Sequence, residues 1–335
     1  MGVICDPLLK DNSAQDISQG LKSRFFHRRK TGYNNLMSSN LTSRKAIKAL
    51  LNRYLVYPSK GLGQNFLIDK SVLKKIIKAA ELTKKDVILE IGPGIGNLTR
   101  ELAHKAKRII AVEKDPKLAR ILKETLKEFK NIQIIQGDIL KIQDTRYKIQ
   151  DTYKIVANLP FYIAAPVFRK FLESCKVQPC TMTLMVQKEV AQRICASPAK
   201  VFAKQKFRRA MPPKMNLLAV SVQFYAEPEI ISYVSKKSFW PEPKVDSAIL
   251  KITPSGKKST IVGILPEEFF RVVKAGFSQP RKMLINNLSA KLRVKKGLIR
   301  EILQKNHINP AQRPETLTIK DWVQIAKEFS TFPLL

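Results

Sequence analysis

Short apolar segments alternate with amphipathic segments over residues 86–187, and this alternation constrains the fold more than any other feature of the sequence. Strands that alternate with helices predict a parallel, doubly wound sheet and an α/β fold. Two further strands are predicted without a helix between them, and we expect them to pair antiparallel at an edge of the sheet. The seven predicted strands are Asp86–Gly92, Arg108–Glu113, Ile132–Asp138, Lys154–Pro160, Thr181–Gln187, Leu218–Glu227 and Ser247–Pro254.

Composition divides the chain into three regions. Residues 1–42 have no clear periodicity and contain the basic, aromatic cluster "KSRFFHRRK", which predicts a flexible basic tail. Residues 43–255 contain the alternating strands and helices. After the Gly-, Ser- and Lys-rich linker "PSGKKSTIVGILP", residues 266–331 show helical patterns only, which predicts a small all-helical C-terminal domain.

The charge of the chain indicates a polyanionic partner. The 61 Lys and Arg residues face 27 Asp and Glu residues, which gives a formal net charge of +34. Nucleic acid is the commonest partner for such an excess. The four cysteines form no C-x-x-C pair and only three histidines accompany them, so we expect no metal site and reduced thiols. We also expect no membrane span, because no long apolar run occurs.

The turn "LEIGPGIGN" (Leu89–Asn97) follows the first of these strands and precedes a helix. Gly92, Gly94 and Gly96 permit tight backbone angles and a close approach of a ligand. Their G-x-G-x-G spacing lacks the sixth-position glycine of the dinucleotide fingerprint. With Glu90 two residues before the first glycine, the turn favours a ligand without a pyrophosphate, such as S-adenosylmethionine.

Two acidic residues stand at the ends of the next two strands. Glu113 can accept hydrogen bonds from both hydroxyls of a ribose, as an equivalent acid does in dinucleotide-binding folds. Asp138 can accept a hydrogen bond from the exocyclic amine of a cofactor's adenine. Because open α/β sheets bind ligands at the carboxyl ends of their strands, the glycine turn and both acids predict one cofactor site.

The fourth strand ends in "NLPF" (Asn158–Phe161). The adenine N6 amine is a poor nucleophile, because its lone pair is delocalised into the ring. Acceptors on its protons can shift it towards a nucleophilic geometry, and the side-chain oxygen of Asn158 and the backbone oxygen of Leu159 can do this. Pro160 fixes the turn, and Phe161 offers a face on which an extruded base can stack. The motif therefore predicts a target-adenine pocket that acts by positioning and electrostatics.

Taken together, the motifs closely resemble those of the small-subunit ribosomal RNA adenine N6-dimethyltransferases of the KsgA type. The resemblance covers roughly Thr42 to Phe329. The matching segments, in order, are "KGLGQNFLID", "LEIGPGIGNLT", "AVEKD", "GDIL", "ANLPFYIAAPV", "LMVQKEVAQRI", "FWPEPKVDSAI" and "FSQPRKMLINNL".

This resemblance implies a Rossmann-like methyltransferase domain followed by a small helical, RNA-binding domain. It implies that S-adenosylmethionine is converted to S-adenosylhomocysteine while two adjacent adenosines near the 3′ end of small-subunit rRNA are dimethylated. The implied partner is the immature small ribosomal subunit, and we expect a cytoplasmic monomer. By motif position, the implied cofactor contacts are Asn65, Leu67, Gly92, Gly94, Glu113, Asp138 and Asn158, and the implied target-base pocket is Asn158, Leu159, Pro160 and Phe161.

Two basic regions are candidate RNA contacts. The segment Ser197–Val222 departs from the family pattern, and its longer, acid-free basic stretch includes Arg208 and Arg209. The C-terminal helices carry a second basic cluster with no acid between its members. We expect phosphate contacts there, at Arg281, Lys282, Lys295 and Lys296.

Three alternatives were weighed against this interpretation. A large-subunit rRNA adenine methyltransferase of the antibiotic-resistance type shares the cofactor turn and the N6 pocket, but "GQNFLID" and "PKVDSAI" favour the small-subunit type. A non-catalytic assembly factor is disfavoured because Glu113, Asp138 and Asn158 are all present. An NAD enzyme is disfavoured by the glycine spacing and by "NLPF".

Overall fold

The computed structural model describes residues 41–59, 61–142, 149, 152–197, 214–256 and 263–330. The predicted flexible tail, residues 1–42, lies outside this range except for its last two residues. The chain divides into two compact units, residues 1–56 and residues 57–335. The described part of the first unit contains one helix, α1 (Arg44–Arg53).

The described part of the second unit contains nine strands and ten α-helices, the longest of which has 12 residues. No helix in the described residues is long and apolar enough to cross a membrane. In chain order the elements are β1 (Phe66–Leu67), α2 (Lys70–Ala80), β2 (Val87–Ile91), α3 (Asn97–Ala103), β3 (Arg108–Glu113), α4 (Pro116–Thr125), β4 (Ile132–Gln136), β5 (Lys154–Asn158), α5 (Ala164–Phe168), β6 (Thr181–Gln187), α6 (Lys188–Ile194), α7 (Leu217–Tyr225), β7 (Ala226–Val234), β8 (Phe239–Trp240), β9 (Ser247–Pro254), α8 (Pro266–Gly276), α9 (Leu284–Leu292), α10 (Lys296–Lys305) and α11 (Ile319–Ser330).

Seven strands form one mostly parallel sheet in the order β4-β3-β2-β5-β6-β9-β7. The first five strands of this order run parallel to one another, and β9 runs antiparallel to both β6 and β7. Successive residues of a strand face opposite sides, so Ile88 packs in one apolar cluster with α2 and α3, whereas Leu89 packs in another with α5 and α6. The predicted doubly wound α/β fold is confirmed.

One predicted strand was wrong. Residues 218–227 were expected to form a strand, but most of them lie in helix α7, and the edge strand that pairs with β9 is β7. Helix α7 is buried between two apolar clusters. Val222 belongs to the cluster that contains Leu89, whereas Val220 and Phe224 belong to a cluster formed mainly by the last four helices of the chain. Helix α7 is mostly apolar and has no continuous polar face, so it shows little 3.6-residue periodicity and its alternating valines resembled a strand.

The last four helices, α8 to α11, enclose a separate apolar cluster. Trp322 and Phe269 are fully buried in it, and Phe269 stacks on Phe224 of α7 with 4.2 Å between ring centroids. The chain after residue 266 is therefore helical, as predicted. That this helical part forms a domain separate from residues 43–255 stays an interpretation. Helix α7 contributes side chains both to the apolar cluster that contains Leu89 and to the cluster of the last four helices.

Candidate active site

The carboxyl ends of β2, β3, β4 and β5 surround one cavity, which encloses about 1140 Å³ including the space at its open mouth. All ten residues proposed from the sequence for the cofactor and the target base line it, namely Asn65, Leu67, Gly92, Gly94, Glu113, Asp138, Asn158, Leu159, Pro160 and Phe161. The structure thus brings these residues together in one place.

The glycine turn follows β2 and lines this cavity. Gly92 and Gly94 have φ angles of 65° and 64°, in the left-handed region that favours glycine. A Cβ atom on Gly94 would lie 3.4 Å from two ring carbons of Phe66. That separation is ordinary van der Waals contact, so the left-handed φ of Gly94, rather than lack of space, disfavours a side chain at this position.

Glu113 ends β3 and holds the glycine turn with its carboxylate. Its Oε2 accepts a hydrogen bond from the Gly94 N–H at 3.1 Å, and its Oε1 accepts one from the Asp115 N–H at 2.8 Å. Burial raises the pKa of Glu113 to about 7, although both backbone donors favour the charged form. This carboxyl group therefore titrates near neutral pH in the ligand-free protein.

Glu90, in β2, is a second buried carboxyl group in the cavity lining. Burial raises the pKa of Glu90 to about 8, and the nearby charge of Glu113 raises it further. Among the residues that the structure describes, its Oε2 atom has no hydrogen-bond partner. A buried oxygen without a partner is unfavourable, so this position fits a ligand with a polar group that can form a hydrogen bond with the carboxyl group.

Asp138, just beyond β4, lines the cavity beside Lys114. Its Oδ2 lies 3.0 Å from Nζ of Lys114, and its Oδ1 accepts a hydrogen bond from the Leu140 N–H at 3.0 Å. Partial burial disfavours the charged form, but the Leu140 N–H and the Lys114 ammonium outweigh it and lower the pKa of Asp138. Asp138 is therefore a charged acceptor at neutral pH.

Asn158 is the last residue of β5, and its side-chain amide has a fixed orientation. Nδ2 donates a hydrogen bond to the Asn65 backbone oxygen at 3.2 Å. The next residue, Leu159, is buried, and its N–H donates to the Met185 oxygen of β6 at 3.1 Å. Phe161 is half-buried and begins a 3₁₀ turn that ends at Ile163. The sheet thus fixes "NLPF" at the cavity wall.

Residues Gly61–Leu67, which we call the strap, lie beside Asn158 and Pro160, and Leu62 to Leu67 line the cavity. Leu67 is held by its backbone oxygen, which accepts a hydrogen bond from Asn97 Nδ2 at 2.7 Å. The Asn65 side chain turns back within the strap and donates to the Gly63 oxygen at 3.2 Å.

Four further polar residues of the cavity lining were missed, Gln64, Asn97, Lys114 and Tyr162. All but Asn97 are direct neighbours in sequence of a residue that was selected. That adjacency was the one signal that could have found those three.

The proposed RNA contacts lie elsewhere. Arg281 and Lys282 precede α9, while Lys295 and Lys296 stand at the start of α10, so the two pairs flank the nine-residue helix α9. All four side chains are exposed. Arg208 and Arg209 lie outside the described residues.

Comparison with known sequences identifies the family. The family model for ribosomal RNA adenine dimethylase matches residues 59–331. A ribosomal RNA small subunit methyltransferase A from Dehalococcoides mccartyi (strain CBDB1) is 41% identical over 288 residues, which cover 85% of this chain and 93% of that protein. The protein of the same name from Alkaliphilus oremlandii (strain OhILAs) is 37% identical over 301 residues, covering 87% and 98%.

Solved structures agree with the fold. A dimethyladenosine transferase from Plasmodium falciparum superposes with a TM-score of 0.63 at 26% identity, covering 79% of this chain and 97% of that one. The 23S rRNA methyltransferase ErmE superposes with a TM-score of 0.62 at 24% identity, covering 80% and 100%, which shows the shared fold alone. Because the family model matches residues 59–331, which are most of this chain, the chain belongs to the ribosomal RNA adenine dimethylase family.

Proposed function

We propose that this protein is an S-adenosylmethionine-dependent rRNA adenine dimethyltransferase of the small ribosomal subunit. It transfers methyl groups to N6 of two adjacent adenosines near the 3′ end of the rRNA during ribosome biogenesis, acting as a monomer in the cytoplasm. One observation carries the proposal. The cavity combines a glycine turn, two strand-end acids and the "NLPF" motif in a chain of the rRNA adenine dimethylase family.

The residues present fit S-adenosylmethionine. The backbone at Gly92 and Gly94 is open to the cavity, and Glu90 Oε2 is a buried oxygen without a partner in the described chain. In our proposal Glu113 accepts hydrogen bonds from the ribose hydroxyls, and Asp138 accepts one from the adenine amine. When bound, S-adenosylmethionine supplies an electrophilic methyl group on a positively charged sulfur.

The target adenine is activated by acceptors at the end of β5. Because Asn158 Nδ2 is engaged with the Asn65 oxygen, its Oδ1 is left to accept a proton of the target N6 amine. The Leu159 backbone oxygen accepts the other. These two acceptors favour the tetrahedral amine over the planar one, and Phe161 holds the base by stacking. The two acceptors and the stacking face of Phe161 are in place before the reaction, so the protein needs little rearrangement to reach the transition state.

RNA binding is proposed for the two exposed basic pairs that flank α9. Contacts from Lys and Arg to phosphates set the register of the RNA but do not select bases. Such contacts release counterions, so binding should weaken steeply with salt. Arg208 and Arg209 are proposed as further contacts on the same grounds of charge.

Replacing both Lys295 and Lys296 with alanine should reduce the slope of log affinity against log salt by about 1 to 2, since two phosphate contacts are lost. The measurement is rRNA binding at several salt concentrations. The matched control replaces Lys84 and Lys85, an exposed pair just before β2, at the end of the sheet opposite the cavity. Equal slopes for both variants would contradict a specific basic surface at α10.

The proposed function is tested by methyl transfer from labelled S-adenosylmethionine to undermethylated small subunits. Large subunits and free rRNA are the controls, and mass mapping locates the product. We expect dimethyladenosine at two adjacent small-subunit positions. Label in large-subunit rRNA alone would instead indicate the antibiotic-resistance type of enzyme. Tight subunit binding without any label would indicate a non-catalytic assembly factor.

A further inference from the structure

The strap is anchored firmly at its C-terminal end. Phe66 and Leu67 form β1, which pairs antiparallel with β8. Two residues later, Asp69 Oδ2 accepts a hydrogen bond from the Ser238 hydroxyl at 3.0 Å. Its other oxygen, Oδ1, accepts one from the Ser71 N–H at 2.8 Å and begins α2. The C-terminal end of the strap is therefore held by the pairing of β1 with β8, and the capped helix α2 follows it in the chain.

Nearer its other end, the strap is connected to α4 by the Gln64 side chain, while the Leu62 N–H donates a hydrogen bond to Ser59 Oγ at 3.3 Å. Gln64 Nε2 donates a hydrogen bond to Asp115 Oδ2 at 2.8 Å, and Gln64 Oε1 accepts one from the Ser59 N–H at 2.8 Å. Asp115 Oδ1 accepts a hydrogen bond from the Lys117 N–H and so caps α4. We call Ser59, Gln64 and Asp115 the latch, because they connect the strap to the first turn of α4.

The strap bears directly on the proposed target-base pocket at two points. The Asn65 backbone oxygen accepts the hydrogen bond from Asn158 Nδ2. Gly63, with a φ of 60°, passes so close to Pro160 that a Cβ atom on it would lie 3.3 Å from the proline Cβ. A shift of the strap would therefore release the Asn158 amide, which could then turn its oxygen away from the cavity.

We propose that Gln64 is a positioning residue for methyl transfer. It holds the strap against α4, the strap presents the Asn65 oxygen, and that oxygen orients the amide of Asn158. This inference rests on the proposed function, in which Asn158 Oδ1 accepts a proton of the target amine. Gln64 therefore affects the rate of methyl transfer indirectly, through the position of the Asn65 oxygen.

A double-mutant cycle tests the latch, because the partners can be exchanged. Gln64→Glu places a carboxylate against Asp115 and removes the donor. Asp115→Asn keeps an oxygen for the helix cap but turns an amide nitrogen towards the Gln64 nitrogen. In the double variant the donor and acceptor are reversed, since the Asn amide donates to the Glu carboxylate, which still accepts from the Ser59 N–H. Each single variant should lower kcat by about 10- to 100-fold, whereas the double variant should come within about threefold of wild type.

Two readouts separate the latch from a general effect on stability and from a failure of the proposed function. The first is kcat at saturating cofactor, measured beside Tm. The second is hydrogen–deuterium exchange of the strap amides, which should rise in Gln64→Glu and recover in the double variant. An unchanged exchange rate and kcat in Gln64→Glu, or a double variant no better than the worse single one, would overturn the latch. If wild type transfers no methyl group, the proposed function fails, while the exchange measurement still decides whether the latch exists.

Discussion

Asn158→Ala should lower the rate of methyl transfer by about 100- to 1000-fold, the usual effect of removing one group that is aimed at the reacting atoms. Cofactor binding should change by no more than about threefold, because the glycine turn and both acids remain in place. The reason is geometric. The amide nitrogen of Asn158 is fixed on the Asn65 oxygen, so its own oxygen is the acceptor that alanine removes.

Single-turnover transfer and calorimetric titration with S-adenosylmethionine measure the two effects separately. Asn131→Ala is the matched control, because it loses an amide that donates to backbone oxygens at 3.0 and 3.2 Å, outside the cavity lining. It should lower stability without a comparable loss of rate. An equal loss of transfer and of cofactor affinity in Asn158→Ala would mean that Asn158 serves the cofactor alone.

The position of the site could be predicted from the sequence because it depends on parallel strands. Glu113, Asp138 and Asn158 stand at or just beyond the ends of successive strands, and the carboxyl ends of parallel strands meet at one edge of a sheet. The structure places β4, β3, β2 and β5 side by side in that order. Strand ends were therefore sufficient to bring these side chains together, without knowledge of any contact between them.

Helix α7 could not be predicted by the same reasoning. Its burial between the sheet and the C-terminal helices exists only in the folded chain, and that burial removes the polar face from which a helix is recognised. A local signal was present in Asn216, whose side-chain oxygen accepts a hydrogen bond from the Ala219 N–H at 2.9 Å and caps the helix.

The latch could not be predicted from the sequence either, but for a different reason. Gln64 and Asp115 are 51 residues apart, and the oxygen and the amide that link Asn65 to Asn158 are 93 residues apart. Neither pair has a spacing that any repeating element would impose. The motif "GQNFLID" indicated the family, but only the folded chain shows that its glutamine connects the strap to α4.

Glu113→Ala should weaken the binding of S-adenosylmethionine by at least about 100-fold, since two hydrogen bonds to a charged group contribute about 3 kcal/mol together and the Gly94 N–H also loses its acceptor. The exposed Glu101, in α3 and outside the cavity lining, is the matched control for the loss of one negative charge. Glu101→Ala should bind the cofactor as wild type does. Calorimetric titration at fixed ionic strength measures both, and similar affinities for the two variants would show that Glu113 makes no ribose contact.

The same carboxyl group should make cofactor binding depend on pH in wild type. Because burial raises the pKa of Glu113 to about 7, a growing fraction of the free protein carries the neutral acid as pH falls below 7. A neutral acid cannot accept hydrogen bonds from two hydroxyls as well as a carboxylate can, so affinity should rise as pH increases through 7 and level off above it. In Glu113→Ala this step should disappear, and any dependence that arises from Glu90 should move to lower pH, because the charge of Glu113 no longer raises the pKa of Glu90. A pH profile in the alanine variant identical to that of wild type would show that another group titrates near pH 7, and the carboxylate of Glu113 would then be excluded as the source of the step.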